Sequence, residues 1–239
     1  MPTLPPDSPP RPTAPVVEVC DLDPARLEAL DKNETGRIEA FSDGVFAIAA
    51  TLLVFNLRVP DLLGLDSGAE LWRRLAHDWP SFAAFVISFL SILIMWSSHH
   101  NIFMLIRRVD HNFLLLNGLV LLGIAATPFS TQLVATHFGH PGENVAALVY
   151  CAVALFIATA YNGMWRYAAH HRRLLAATTT DEQVHKVIRQ YAVGPVAFAL
   201  ALVLSLFNAT ASLLVFVAVE IFFALPTGAN RRPGDPADG

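Results

Sequence analysis

The sequence predicts an all-α integral membrane protein, with a bundle of six transmembrane helices in each subunit. Two observations carry this prediction. Hydrophobic residues make up 54% of the 239 residues and charged residues only 15%, whereas soluble domains carry about 25% charged residues. The charges are also clustered, and the apolar runs between the clusters approach the ~20 residues that cross the hydrocarbon core of a bilayer.

Six apolar runs follow one another along the chain. Pro128 and Pro195 lie inside the third and fifth runs, where neighbouring helices can satisfy the backbone groups that proline leaves free. Only a short stretch around Asn208 separates the fifth run from the sixth, which predicts a tight antiparallel hairpin. The predicted spans are Ile38–Leu57, Trp79–Ser98, Asn112–Leu133, Val145–Trp165, Val187–Phe207 and Ala209–Leu225.

The two ends of the chain differ in composition from the spans. Residues 1–36 are predicted to form a short, disordered cytoplasmic arm, which is rich in proline at its start and has no apolar signal segment. Residues 227–239 are predicted to form a disordered tail, so that residues 37–226 make up one transmembrane domain. Cys20 and Cys151 form neither a disulfide framework nor a metal-ligand spacing.

Lysine and arginine are distributed unequally between the two sides of the predicted bundle. Thirteen lie in the N-terminal arm, the second and fourth loops and the tail, and three lie in the first loop, at Arg58, Arg73 and Arg74. Short cytoplasmic loops carry the excess of basic residues. Both termini are therefore predicted to be cytoplasmic, in a multi-pass protein of the cell membrane.

The first span contains the clearest candidate for a functional ionisable residue. Asp43 lies in an otherwise apolar run, and an ionisable side chain inside a span is costly unless it faces protein or water. At about 100° per helical residue, an apolar stripe with a single hydroxyl forms one face, and Ser42 and Asp43 lie on the opposite face. The residues of this stripe are Ile48, Thr51, Leu52 and Phe55.

Two interpretations of this stripe remain open. Apolar stripes on helices usually pack against other helices, so periodicity alone favours a stripe in the bundle core, with Asp43 satisfied by a neighbouring helix. The same geometry permits a stripe that lines a pore, with Asp43 anchoring the helix from behind.

Two adjacent histidines, His99 and His100, lie near the end of the second span, at the membrane depth of Asp43. The matched depth predicts a hydrogen bond between Asp43 and one of the histidines, with Asn117 of the third span as a further partner. Adjacent helical residues diverge by about 100° and cannot readily bind one metal together, and the i, i+4 pair of a helical zinc site is missing. Structural histidines are preferred to haem or metal ligands, and no cofactor is predicted.

Other parts of the sequence give weaker indications. Glu220 lies near the inner end of the sixth span, where it either snorkels to the interface or has a functional role. No Walker loop, nucleophile elbow, HExxH motif or dinucleotide fingerprint is present, so no enzyme is predicted. The potassium-filter sequence TVGYG is also missing, and the basic residues form no nucleic-acid patch.

A family resemblance begins at Arg37. The pattern Arg37-x-x-x-Phe41-Ser42-Asp43 resembles the start of the first transmembrane helix in prokaryotic members of the transmembrane protein 175 family of potassium channels. The similarity covers roughly Ile38 to Leu225. It includes Gly44-Val-Phe-Ala-Ile-Ala-Ala-Thr51-Leu-Leu-Val, Trp79-Pro80-x-Phe82, Ser88-Phe89, Trp96-x-x-His99-His100-x-x-Phe103 and Pro128-Phe129.

This resemblance implies a homotetramer in the lipid bilayer, with a central potassium pore lined by the first helix of each subunit. It implies a hydrophobic constriction at Ile48, a hydroxyl ring at Thr51, and outer apolar rings at Leu52 and Phe55. Phe55 is bulkier than the aliphatic residue implied at its position. The resemblance also implies a hydrogen-bond network that holds the pore helix, formed by Arg37, Ser42, Asp43, His99, His100 and Asn117.

Two other functions compete with a potassium channel. A proton-conducting or proton-coupled transporter would use Asp43, His99 and His100 as a relay. A non-conducting membrane scaffold would bury the stripe of the first span.

Overall fold

The regular elements of the described residues are all helices. The structure, a computed structural model, describes residues 24–57, 67–172 and 174–225. Two short 3-10 turns, Leu53–Asn56 and His170–Arg172, accompany the α-helices. The α-helices are α1 (Pro24–Leu52), α2 (Gly68–His77), α3 (Trp79–Leu105), α4 (His111–His137), α5 (Glu143–Ala169), α6 (Asp181–Ser205) and α7 (Ala209–Ala224).

Within the described ranges, five helices are long and apolar enough to cross a membrane: α1 with its 3-10 turn, α3, α4, α5 and α6. The apolar helix α7 has 16 residues. Its length of about 24 Å, at 1.5 Å per residue, is less than the ~30 Å of the hydrocarbon core. The predicted all-α membrane architecture is confirmed, and the sixth predicted span is present as this shorter helix.

The first helix begins earlier than the sequence predicts. α1 starts at Pro24, so residues 24–36 are helical and do not belong to a disordered arm of residues 1–36. Residues 1–23, Arg58 and the predicted tail of residues 227–239 lie outside the described residues. Pro128 and Pro195 lie inside α4 and α6, as predicted.

The segment between the first two spans contains a helix that the sequence did not predict. α2 has ten residues and is capped by the preceding residue, Ser67, whose side chain accepts a hydrogen bond from the Glu70 backbone N–H at 3.3 Å. Because this helix is short and carries several charged residues, its sequence does not have the long apolar run of a membrane span. One residue, Asp78, separates α2 from α3.

α4 and α5 form the centre of the bundle. In each of them 44% of the most apolar stretch is buried, against 22% in α1, α3 and α6. A Cβ atom at Gly123 of α4 would lie 2.4 Å from Cγ1 of Ile157 in α5, so the glycine allows these two helices to approach closely. The apolar core around these two helices includes Phe113 of α4 and Trp165 of α5.

Buried hydroxyls and one thiol join the helices inside the bundle. Ser88 Oγ of α3 lies 2.9 Å from the Tyr150 hydroxyl and 2.8 Å from Thr131 Oγ1. Cys151 Sγ lies 3.1 Å from Ser212 Oγ, so this free cysteine contacts α7. These polar groups are paired, as burial away from water requires. Cys20 lies outside the described residues.

Candidate functional site

α1 has two faces of different character. One face is buried and packs against α3 and α4 through Phe46, Ala49 and Leu53. Ser42 and Asn56 lie on the same side of the helix and are also buried. Successive members of this set are three or four residues apart, which is the spacing of one helical face. α1 is therefore attached to its own subunit along one side.

The opposite face of α1 carries the predicted stripe and is exposed in the subunit. The exposed fractions are 61% for Ile48, 43% for Leu52 and 77% for Phe55, and Thr51 is exposed as well. The interpretation that this stripe packs in the core of its own bundle is therefore wrong. The physical reason is that the buried side of α1 already supplies its packing contacts with α3 and α4.

The stripe extends beyond the α-helix itself. α1 ends at Leu52, and Phe55 lies in the 3-10 turn that follows, whereas the sequence predicted a continuous helix to Leu57. In a 3-10 helix, residues three apart are eclipsed. Phe55 therefore continues the line of Leu52 even though the helical geometry changes between them.

Thr51 is the one hydroxyl of the stripe. Its Oγ1 lies 3.0 Å from the carbonyl oxygen of Ala47 and 2.9 Å from that of Ile48, so the hydroxyl hydrogen points back to the helix. The oxygen lone pairs are then available on the exposed side, since a threonine hydroxyl has one donor and two acceptor positions. This arrangement is suited to an electropositive partner, such as a cation or a water hydrogen.

A buried chain of hydrogen bonds joins α1, α4 and α3. Ser42 Oγ donates to the Ile38 carbonyl at 2.9 Å and accepts from Asn117 Nδ2 at 3.0 Å. Asn117 Oδ1 lies 2.9 Å from His99 Nε2. The predicted proximity of Ser42, Asn117 and His99 is thus present, and all three side chains are buried.

The contacts of the His99 ring show which of its two nitrogens carries the proton. Because an amide oxygen only accepts, the contact with Asn117 places the proton on Nε2. No residue in the described ranges makes a hydrogen bond with Nδ1. The ring stacks on Phe103, with ring centroids 4.4 Å apart, and packs against Phe46 and Tyr161. A second proton on Nδ1 would be buried among aromatic rings without an acceptor.

A second, more exposed row of contacts joins α1 to α3. Asp43 Oδ1 accepts from Trp96 Nε1 at 2.8 Å, and Glu39 Oε1 lies 2.8 Å from His100 Nδ1. The Trp96 and His100 rings stack with centroids 6.1 Å apart. The predicted hydrogen bond between Asp43 and a histidine is therefore wrong: both histidines have other partners, because the rotation of α3 directs Trp96 to the carboxylate.

Two further hydrogen bonds secure α1 to its own subunit. In the first half of the helix, Thr35 Oγ1 donates to the Arg107 carbonyl at 3.2 Å. At its end, Asn56 Nδ2 donates to the Pro128 carbonyl of α4 at 3.1 Å. The buried face is thus bonded to its own subunit from Thr35 to Asn56.

Four residues that form these hydrogen bonds between α1 and its neighbours were not among the predicted site residues: Thr35, Glu39, Asn56 and Trp96. Weak signals for three of them exist in the sequence. Asn56 lies two heptads after Ser42, and Glu39 and Trp96 lie one turn before Asp43 and His100. Arg37, which was predicted to join the network, is exposed, and its side chain makes no hydrogen bond or ion pair with the described residues. Its role stays a prediction.

Glu220 lies away from this site. It is buried, so it does not snorkel to the interface. It borders a cavity of about 60 Å³ that includes Tyr161 and Tyr191 in its lining.

Comparison with known proteins identifies the relatives of this chain. A family model described as the endosomal/lysosomal potassium channel TMEM175 matches residues 37–128. A protein named as a potassium channel in Chamaesiphon minutus is 44% identical over 203 residues, which cover 85% of this chain and all of that protein.

A solved structure adds to this similarity. The crystal structure of a lysosomal potassium-selective channel TMEM175 homolog from Chamaesiphon minutus matches with a TM-score of 0.74 and 42% identity, over 83% of this chain and all of that one. More distantly, the human endosomal/lysosomal proton channel TMEM175 is 31% identical over 167 residues, which cover 67% of this chain and 32% of the human protein. On the strength of a relative that is matched over its full length, this chain belongs to the TMEM175 family.

Proposed function

We propose that this protein is a potassium channel, in which α1 of each subunit lines a central pore in a homotetramer. The observation that carries the proposal is the division of α1 into two faces. One face is bonded to α3 and α4, and the other presents Ile48, Thr51, Leu52 and Phe55 outside the subunit. The names of the Chamaesiphon relatives, which are called potassium channels, support the same function.

The composition of the free face favours a pore over simple contact with lipid. Next to Ile48, the flank of the helix that carries Thr51 also carries three small exposed residues, Ala40, Gly44 and Ala47. Small residues allow helices to approach closely in membranes. Four copies of α1 can therefore meet at the small residues and place the larger Ile48 side chains toward the axis.

Ile48 and Thr51 have different roles in the proposed permeation path. A ring of Ile48 side chains is a hydrophobic constriction, which gates by excluding water. The Thr51 oxygens, whose hydrogens point to the helix, replace part of the hydration of a potassium ion next to that constriction. Leu52 and Phe55 form wider apolar rings farther along. Permeation is passive, and potassium is the permeant ion rather than a cofactor.

The polar contacts behind α1 keep its free face in position. Ser42, Asn117 and His99 fix the rotation of the helix from the buried side, and Asp43 does so through Trp96. A side chain on a rigid support keeps its geometry better than one on a loop. These residues act on the pore through α1 and not by contact with the ion.

A proton relay through Asp43, His99 and His100 is less well supported. Such a relay needs titratable groups in hydrogen-bond reach of one another. In the described contacts, His99 bonds Asn117, His100 bonds Glu39, and Asp43 bonds Trp96. The three groups of the proposed relay therefore do not form one chain.

Charge supports a cytoplasmic location for both termini in the cell membrane. Arg108, Arg166, Arg172 and Lys186 lie at the end of the bundle where α1 begins, whereas Arg73 belongs to the segment after α1. Basic residues accumulate on the cytoplasmic side of membrane proteins. The division into an arm of residues 1–36, a transmembrane domain of residues 37–226 and a tail of residues 227–239 stays a prediction, although α1 itself begins at Pro24.

A flux assay in liposomes tests the proposal. We expect the purified protein to release potassium down its gradient faster than sodium. Ile48→Ala should raise potassium flux several-fold and reduce the discrimination against sodium, because the constriction widens. The matched control is Leu119→Ala, which removes an exposed apolar side chain from α4 and should leave both fluxes unchanged.

Two results would contradict the proposal. Equal potassium and sodium flux through the unaltered protein would exclude a selective channel, and an Ile48→Ala variant that conducts no ions would exclude Ile48 as the constriction. A mass below that of four subunits in detergent or lipid would exclude the tetramer independently of conduction.

A further inference from the structure

The short helix α2 separates into an apolar and a polar side. At about 100° per residue, its apolar residues form one continuous arc, and its charged residues form the remaining arc. The apolar arc contains Gly68, Ala69, Leu71, Trp72, Leu75 and Ala76, and the polar arc contains Glu70, Arg73, Arg74 and His77.

The apolar side of α2 is largely uncovered by the subunit. Trp72 is 74% exposed, and Leu71 is exposed as well. No residue of α2 is buried. A soluble surface helix normally turns such a side to the core, so this side of α2 needs a partner outside the subunit.

The polar side is paired within α2 itself. Glu70 forms bidentate hydrogen bonds with Arg73, at 2.9 and 2.8 Å, and a further one with Arg74 at 3.0 Å. Hydrogen bonds from Arg73 and Arg74 hold the pKa of Glu70 at about 2. The charges therefore compensate one another on the polar side and leave no acidic group facing the apolar side.

α2 is also adjacent to the end of a span. Asp78 alone separates it from α3, and Trp79, the first residue of α3, is 56% exposed and packs edge-on against Phe138 at the end of α4, with centroids 5.6 Å apart. Beyond Trp79, the exposed apolar surface of α3 continues through Phe82 and Val86. Tryptophans at the ends of spans favour the membrane–water interface.

We propose that α2 lies in the membrane interface, with the side formed by Leu71, Trp72 and Leu75 in the phospholipid layer at the end of the bundle where α1 ends. Its apolar side joins the exposed surface of α3 into one lipid-facing surface. Amphipathic helices with tryptophan or leucine on one side and basic residues on the other bind in this manner. The partner is a phospholipid bilayer, and the inference does not depend on ion conduction.

Spin labels on the two sides of α2 test the proposal. Cysteines are introduced as Trp72→Cys and, as a matched control on the polar side, His77→Cys, in the full chain with Cys20→Ser. The labelled proteins are reconstituted in phosphatidylcholine vesicles, and label accessibility is measured with oxygen and with a water-soluble nickel chelate. We expect the oxygen-to-nickel accessibility ratio to be several-fold higher at position 72 than at position 77.

Two outcomes would overturn the proposal. A label at position 72 that is as accessible to nickel as the control would place this side in water, and a label shielded from both reagents would place it against another protein chain. Quenching of tryptophan fluorescence by brominated phosphatidylcholine provides a second measurement. The unaltered protein should be quenched more than the Trp72→Phe protein, and equal quenching would also contradict the proposal.

Discussion

The polar contacts that α1 makes with its neighbours are of two kinds, and they differ in burial and in charge. The chain through Ser42, Asn117 and His99 is neutral and fully enclosed. The row through Asp43 and Trp96 contains a carboxylate and lies at the edge of the helix. The difference indicates that burial decides the cost of losing a contact, because an enclosed group cannot find a new partner and an exposed one can.

The largest effect is expected from the enclosed chain. Asn117→Ala removes the partner of the Ser42 hydroxyl and of the His99 Nε2–H at once. An unpaired buried polar group costs about 1–3 kcal/mol, so we expect destabilisation by about 2–3 kcal/mol and a lower midpoint of thermal unfolding in detergent.

Thr159→Ala provides the control for this variant. Its hydroxyl bonds only to the Leu155 carbonyl of its own helix and is exposed, so the midpoint should change little. If Asn117→Ala and Thr159→Ala unfolded at the same temperature, the enclosed chain would not stabilise α1.

A smaller effect is expected from the edge contact. Asp43→Ala and Trp96→Phe each remove one side of the 2.8 Å hydrogen bond, and a double-mutant cycle should give a coupling energy of about 1 kcal/mol. Asp43→Ala should lower the yield of assembled protein more than it changes the potassium-to-sodium flux ratio. A changed ratio with assembly intact would place Asp43 on the pore and not behind it.

The smallest effect is expected from the exposed ion pairs of α2, which Glu70 forms with Arg73 and Arg74. They extend the comparison to contacts at the surface. The folded pKa of Glu70 is about 2, below its ordinary value of 4.5, because Arg73 and Arg74 hydrogen bond to it. Its stabilising contribution is therefore present above pH 4.5 and is lost as the pH falls toward 2. Carboxyl ¹³C NMR should show Glu70 still ionised at pH 4, and a midpoint near 4.5 would contradict the pairing.

Several features of the fold and of the site follow from sequence patterns alone. Apolar run length identified the spans, and the position of Pro128 inside one of them is confirmed. The rotation of about 100° per residue correctly placed Ile48 and Phe55 on a different face of the first span from Ser42. A helical face repeats every three or four residues whatever surrounds it. The motif that begins at Arg37 indicated the family, which full-length similarity to a relative confirms.

The pairing of side chains between helices did not follow from the sequence. Residues at one membrane depth, such as Asp43, His99 and His100, were all candidates for one contact. Adjacent residues point about 100° apart on a helix, so the rotation of α3 selects which of them faces α1. That rotation places Trp96 against Asp43 and His100 against Glu39. The periodicity of a single helix does not contain this information.

The sequence by itself determined that the chain crosses the membrane as helices and that Ile48 and Ser42 lie on different faces of α1. Both properties depend on the order of residues within a helix and on the cost of placing polar groups in lipid. Only the tertiary structure decided that the stripe containing Ile48 is left free while the face containing Ser42 and Phe46 is enclosed, and that α2 forms at all. Those properties depend on how neighbouring helices cover each surface, which is set by packing across the bundle and not by any single segment.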